Sequence, residues 1–120
     1  MEIQYLLADP TKNITVLVTT PVSRALQPEL ASLLLDLEPE AEQVGFVETA
    51  ADGQMRLQMM GGEFCGNAAM SLGAYLARQD GLADGASEEY LLEVSGAEGL
   101  VPCRVERRSD AFAGTVRMPL

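Results

Sequence analysis

The stretch GNAAMSLGAYLARQ, residues 66–79, decides the fold of this chain. Its side chains are small or apolar nearly all the way round a helix, and Gly81 follows as a stop signal. A helix that is apolar on every side is buried in the centre of a fold. We therefore predict a central helix over residues 66–79, with the rest of the chain packed around it.

Short runs that are rich in β-branched residues, or that alternate apolar and polar residues, flank this helix in the sequence. They predict strands over residues 2–8, 13–19, 43–49, 54–60, 88–95, 100–107 and 113–118, and a second helix over residues 28–37. Residues 9–12 and 51–53 are typical of turns. With 120 residues the chain suits one domain. The simplest packing is an α+β half-barrel, a curled and mostly antiparallel sheet around the central helix.

Charge and composition exclude several classes of partner. The formal net charge is −10, so nucleic acid and anionic membrane surfaces are not expected partners, because both need a basic face. No apolar run reaches transmembrane length, and residues 1–4 lack the basic start of a signal peptide, which predicts a cytoplasmic protein. The chain has no histidine, and its two cysteines have no metal-ligand spacing, so we expect no metal site.

The segment GGEFCGN, residues 61–67, connects a predicted strand to the predicted central helix. A thiol at a helix N-terminus meets amide groups and a dipole that favour the thiolate, and the same amides can bind a carboxylate. The residues alone leave two simpler interpretations open, a buried inert Cys65 and a plain helix cap at Gly66 and Asn67. The chemical interpretation is proton transfer on an amino acid or another carboxylic acid.

Residues 61–68 resemble the first cysteine motif of the diaminopimelate epimerase superfamily, which contains cofactor-independent amino acid racemases and epimerases. Within the superfamily, the sequence Gly-Gly-Glu-Phe at residues 61–64 is most similar to that of the branch containing the histidine racemases of opine-metallophore biosynthesis. Residues 9–15 also resemble the opening turn of that family. The resemblance covers essentially the whole chain. It implies a half-barrel around a central helix, an isomerase without a cofactor, and an amino acid as substrate.

The resemblance also implies roles for individual residues. In the family, one cysteine thiolate removes the Cα proton and a second thiol returns a proton on the opposite face. Cys65 would be the first of these thiols. Asn13 and Asn67, with the amides of Gly66 and Asn67, would orient the polar groups of the amino acid. Glu48 would correspond to an acidic residue that recognises the imidazole in the histidine-racemase branch.

The sequence departs from the family at Ala68, where diaminopimelate epimerases have glycine, and this makes their substrate less suitable. Family members are also about twice as long, and their second half supplies the second cysteine. Cys103 lies within a predicted strand and cannot replace it. We therefore expect residues 1–120 to be an N-terminal domain that ends at a domain boundary, without its C-terminal domain. The second half-site would come from a missing domain, a separate subunit or a second copy of the chain.

Two other functions remain open at this stage. A binding module could keep the carboxylate site at the helix start without catalysis. A related isomerase, like those of phenazine biosynthesis, would use a carboxylate base in place of the thiol. The cysteine at position 65 argues against this last class.

Overall fold

The computed structural model describes residues 2–9 and 13–117 of the chain. In chain order the elements are β1 (Tyr5–Ala8), β2 (Thr15–Val18), a one-turn 3-10 helix (Arg24–Leu26), α1 (Gln27–Leu37), β3 (Gln43–Thr49), β4 (Met55–Met59), α2 (Gly66–Gln79), β5 (Ser87–Val94), β6 (Leu100–Arg108) and β7 (Ala111–Val116). The predicted elements are all present. Most of the predicted turn over residues 9–12, and the chain end at residues 118–120, lie outside the described residues.

The strands of the described residues form one sheet in the order of the chain, from β1 at one edge to β7 at the other. β2 pairs with β3 in parallel, as β4 does with β5, and the other neighbours are antiparallel. The two parallel pairs are those joined by a helix, α1 in one case and α2 in the other. A parallel pair needs such a crossover, whereas a hairpin joins antiparallel strands. The α+β half-barrel with a mostly antiparallel sheet is confirmed.

The larger part of the core lies between α2 and the inner face of the sheet. Ala68, Ala69 and Leu72 of α2 have no exposed surface and pack in one cluster with side chains from most of the strands. At Gly73 the helix comes so close to β6 that an added Cβ would lie 2.6 Å from the Sγ atom of Cys103. The apolar composition of α2 therefore has the expected result on one side of the helix, which is buried against the sheet, whereas Met70, Ala74 and Tyr75 on the other side stay partly exposed.

The second helix, α1, covers the outer face of the same sheet. Ala31 and Leu34 pack there against Val44 and Phe46 of β3, while Val47 of β3 belongs to the inner core. β3 is therefore buried on both faces, and successive residues of this strand point to α1 and α2 in turn. In the described part of the chain, no helix is long and apolar enough to cross a membrane.

Candidate active site

Cys65 is the N-cap residue of α2. Its backbone is extended, with φ −135° and ψ 110°, and its carbonyl accepts the first helical hydrogen bond from the N–H of Ala69 at 3.0 Å. The amides at the start of an α-helix have no acceptor inside the helix. The half-buried side chain of Cys65 therefore stands beside the end of the helix that attracts negative charge.

The sulfur of Cys65 also has a side-chain partner. The Nε2 atom of Gln43 donates to Sγ at 3.1 Å and to Oγ1 of Thr15 at 2.8 Å. Thr15 has no exposed surface, and its hydroxyl lies 3.5 Å from the carbonyl oxygen of Asn13, to which it donates. An amide nitrogen can only donate, so Gln43 offers the sulfur a hydrogen bond that becomes stronger when the sulfur is an anion.

The order of the elements explains why these residues meet. Thr15 begins β2, Gln43 begins β3, and the two residues are register partners in the parallel pair. β4 runs antiparallel to β3, so it ends where β3 begins, and α2 starts after the loop that follows. Asn13 is exposed and precedes Thr15 by two residues. The structure thus brings four of the five predicted site residues, Cys65, Gly66, Asn67 and Asn13, to one end of the half-barrel.

Glu48, the fifth residue, is not brought to this end. Its carboxylate accepts hydrogen bonds from Arg24 at 2.7 and 2.8 Å and from Gln27 at 2.8 Å, and Arg56 lies 3.5 Å away. Glu48 is five residues along β3 from Gln43, which at about 3.3 Å per residue is roughly 16 Å. The hydrogen bonds from Arg24, countered in part by burial, lower the pKa of Glu48. Recognition of an imidazole by Glu48 stays a prediction.

Gln43 and Thr15 are site residues that the sequence analysis did not select. The available signal was the order strand, helix, strand over residues 13–49, which favours a parallel pair. In such a pair both strands start at the same edge of the sheet. The first residues of the two predicted strands could therefore have been placed beside each other, and close to the residues around Asn13.

The other cysteine of the chain, Cys103, lies in the core. Cys103 has no exposed surface, and its sulfur lies 3.8 Å from the carbonyl oxygen of Ala69. Burial raises the pKa of the Cys103 thiol to about 11. This agrees with the interpretation of Cys103 as a small apolar core residue. Within residues 2–9 and 13–117, no cluster of three or more side chains suited to a metal ion is found.

Comparisons with known proteins agree with this architecture. Residues 2–120 match the family model described as "Histidine racemase CntK N-terminal domain". The chain is 34% identical over 121 residues to a histidine racemase of Staphylococcus aureus, with 98% of this chain and 42% of the relative covered. It is 31% identical over 122 residues to a histidine racemase of Fusobacterium nucleatum, with 98% and 44% covered. The chain therefore spans less than half the length of these relatives.

A solved structure shows the same fold at much lower sequence identity. It is a hydroxyproline epimerase from Agrobacterium vitis with bound trans-4-hydroxy-L-proline, with a TM-score of 0.60 and 15% identity over 95% of this chain and 41% of that chain. Here too, the similar part is less than half of the longer protein. This likeness shows the fold alone, and the match of residues 2–120 to the family model gives the assignment: the chain belongs to the family of histidine racemase N-terminal domains.

Proposed function

We propose that this chain forms one half of the active site of an amino acid racemase, in which Cys65 is one of two bases. The single observation that carries the proposal is the position of the Cys65 sulfur. It lies at the N-terminus of α2 and accepts a hydrogen bond from Gln43 at 3.1 Å. Both neighbours favour the thiolate, which is the form that can accept a proton.

In this proposal the amides of Gly66 and Asn67 bind the carboxylate of the amino acid, and Asn13 and Asn67 contribute side-chain contacts. The Cα–H bond then breaks towards the thiolate of Cys65, and an S–H bond forms. The electron pair of the broken bond moves into the carboxylate, whose added negative charge faces the helix terminus. A thiol on the opposite face of the substrate gives its proton to Cα, and the inverted amino acid results.

The second thiol must come from outside the described residues of one chain, because Cys103 is buried in the core. The relatives are more than twice as long as the matched region, which supports a second half with its own thiol. We propose that this half is a further domain, a separate subunit or a second copy of the chain. Each arrangement would cover the Cys65 end, where Met60 and Leu100 are exposed apolar side chains at 37% and 47%.

Histidine is the substrate that the relatives favour, because two curated relatives from different organisms are named histidine racemase. Glu48 remains our sequence-based choice for contact with the imidazole. The ion pair with Arg24 and the hydrogen bond from Gln27 give Glu48 a structural role whatever the substrate is. The substrate proposal therefore rests on the relatives and on the carboxylate site, and not on Glu48.

Exchange of the Cα proton in heavy water tests the proposal. The chain is incubated with histidine and with a panel of other amino acids, and loss of the Cα–H signal is followed by NMR. Cys65→Ser is the matched control, because it removes the thiol with little change in size. We expect exchange on histidine that disappears in Cys65→Ser. Exchange that survives in Cys65→Ser would place the base elsewhere, and no exchange with any amino acid would mean that the chain needs its second half or is only a binding module.

A further inference from the structure

The turn between β5 and β6 lies beneath the loop that leads into Cys65. Ser95, the first residue after β5, is 4% exposed. Its Oγ atom donates to the carbonyl oxygen of Glu63 at 2.7 Å and accepts from the N–H of Met59 at 3.0 Å. Ser95 thus connects the last residue of β4 to the residue two positions before Cys65.

The direction of both hydrogen bonds is fixed by their partners. The backbone N–H of Met59 can only donate, so the hydroxyl of Ser95 accepts there. The carbonyl of Glu63 can only accept, so the hydroxyl proton points to the loop. The N–H of Ser95 in turn donates to the carbonyl oxygen of Leu57 at 2.9 Å. The serine is therefore itself held against β4, and its side chain has one arrangement that satisfies both partners.

Gly96 adds a second contact with the same part of the loop. Its φ of +78° lies in the region that favours glycine, and an added Cβ would be 2.4 Å from the backbone nitrogen of Phe64 and 2.8 Å from the carbonyl carbon of Glu63. These are backbone atoms and cannot swing aside. The peptide between Glu63 and Phe64 therefore rests directly on the backbone of the turn, at a distance that only glycine permits.

From these contacts we infer that Ser95 and Gly96 are positioning residues for Cys65, an inference that rests on the function proposed above. The peptide between Glu63 and Phe64 sets the direction in which the chain enters α2. It therefore sets where the sulfur of Cys65 lies relative to the helix terminus and to Gln43. The two residues act through the loop and do not touch the sulfur themselves.

The loop needs such support because of its own composition. Gly61 and Gly62 are exposed, and the N–H of Gly61 is held by the carboxylate of Glu63 at 3.3 Å, an exposed contact within the loop. Glycine loses more conformational freedom on ordering than any other residue. The hydrogen bond from the buried hydroxyl of Ser95 to Glu63 limits this freedom at the end of the loop that leads into Cys65.

The test is the rate of Cys65 alkylation by iodoacetamide as a function of pH, with Cys65 and Cys103 separated by mass spectrometry. In Ser95→Ala we expect the rate at pH 7 to fall by about twofold to fivefold, the size of a helix-terminus interaction with a charged group. The rate at high pH should not fall, because the loop is no less accessible. Gly96→Ala should change the rate at pH 7 in the same direction and further.

Ser71→Ala is the matched control. Ser71 is 7% exposed, and its hydroxyl donates to the carbonyl oxygen of Asn67 at 2.9 Å within α2. The control removes a buried hydroxyl of the same size close to the site without touching the loop, so its alkylation profile should match the wild type. A profile of Ser95→Ala that also matches the wild type, with a lower unfolding midpoint, would overturn the inference and leave Ser95 as a core residue only.

A second measurement needs no substitution and applies even if the variants fail to fold. The amide of Met59, held by Ser95, should exchange with deuterium far more slowly than the exposed amide of Gly61. Equal exchange would show that the support is absent. Both measurements use the thiol and the amides and no amino acid substrate. Cα proton exchange by the wild-type chain therefore tests the proposed function separately from this inference.

Discussion

Gly73 sets the depth at which α2 lies in the half-barrel, so replacing it by alanine tests the packing that presents Cys65. An ideal Cβ at this position lies 2.6 Å from Sγ of Cys103 and 3.1 Å from Cγ2 of Val105. Both neighbours have no exposed surface and cannot move into solvent. The added methyl group must therefore push α2 and β6 apart or force the two side chains from their positions.

Two opposed terms determine the size of the effect. Overpacking of a close-packed core costs about 1–3 kcal/mol. Alanine is better than glycine inside a helix by about 0.8–1.0 kcal/mol. Gly73→Ala should therefore lower the free energy of unfolding by about 0–2 kcal/mol. In the double variant with Cys103→Ala, the new methyl group occupies space that the sulfur has left, and only the weaker contact with Val105 still opposes the helix preference.

The assay is urea unfolding of the wild type, Gly73→Ala, Cys103→Ala and the double variant, which together form a double-mutant cycle. We expect the double variant to be more stable than the sum of the single effects by about 1–3 kcal/mol, within the range found for residues in contact. Unchanged m-values would show that the compared states are the same. Additivity within about 0.3–0.5 kcal/mol would refute the close contact between α2 and β6.

Three further predictions concern the site and the ion pair at Glu48. Gln43→Met should slow the alkylation of Cys65 at pH 7 by at least about tenfold, since a hydrogen bond to a charged group contributes about 1.5–3 kcal/mol; an unchanged rate would contradict the role of Gln43. Asn67→Ala should weaken binding of an amino acid by a similar factor in a calorimetric titration, whereas unchanged affinity would contradict a role of the Asn67 side chain in binding. Glu48→Gln should lower the free energy of unfolding at pH 7 by about 0.5–1 kcal/mol, a small value because the side chain of Arg24 is 56% exposed and screened. The pKa of Glu48 is lowered from 4.5 in the folded chain, so this stabilisation is present above pH 4.5 and is lost as pH falls through the folded value. A stability difference that persists in acid would contradict the ion pair.

The central helix could be predicted from the sequence to the residue, since α2 spans Gly66–Gln79. A helix whose side chains are nearly all small or apolar is stable in few places other than the core of a fold. The strand predictions differ from the structure by a few residues at most ends, because strand ends depend on pairing partners that the local sequence does not contain. The helix α1 begins at Gln27, one residue before the proline at which the sequence predicts its start.

The faces of β3 could not be predicted in the same way. The strand reads Gln-Val-Gly-Phe-Val-Glu-Thr over residues 43–49, with apolar side chains on both faces. Alternation therefore shows that Gln43 and Glu48 point to opposite faces, but not which face meets α1 and which meets α2. That choice depends on the path of both crossover helices. It decides that Gln43 lies beside Cys65 and that Glu48 lies beside Arg24.

The measurement that tests the central claim most directly is Cα proton exchange in heavy water on L-histidine and D-histidine separately. The wild-type chain and Cys65→Ser are compared, with chiral chromatography to follow any inversion. Because one thiol faces one side of the Cα atom, the account predicts that Cys65 exchanges the proton of one enantiomer much faster than that of the other. Cys65→Ser should lose this preferred exchange. Equal exchange of both enantiomers, or a preference that survives in Cys65→Ser, would contradict the assignment of Cys65 as the base of this half-site.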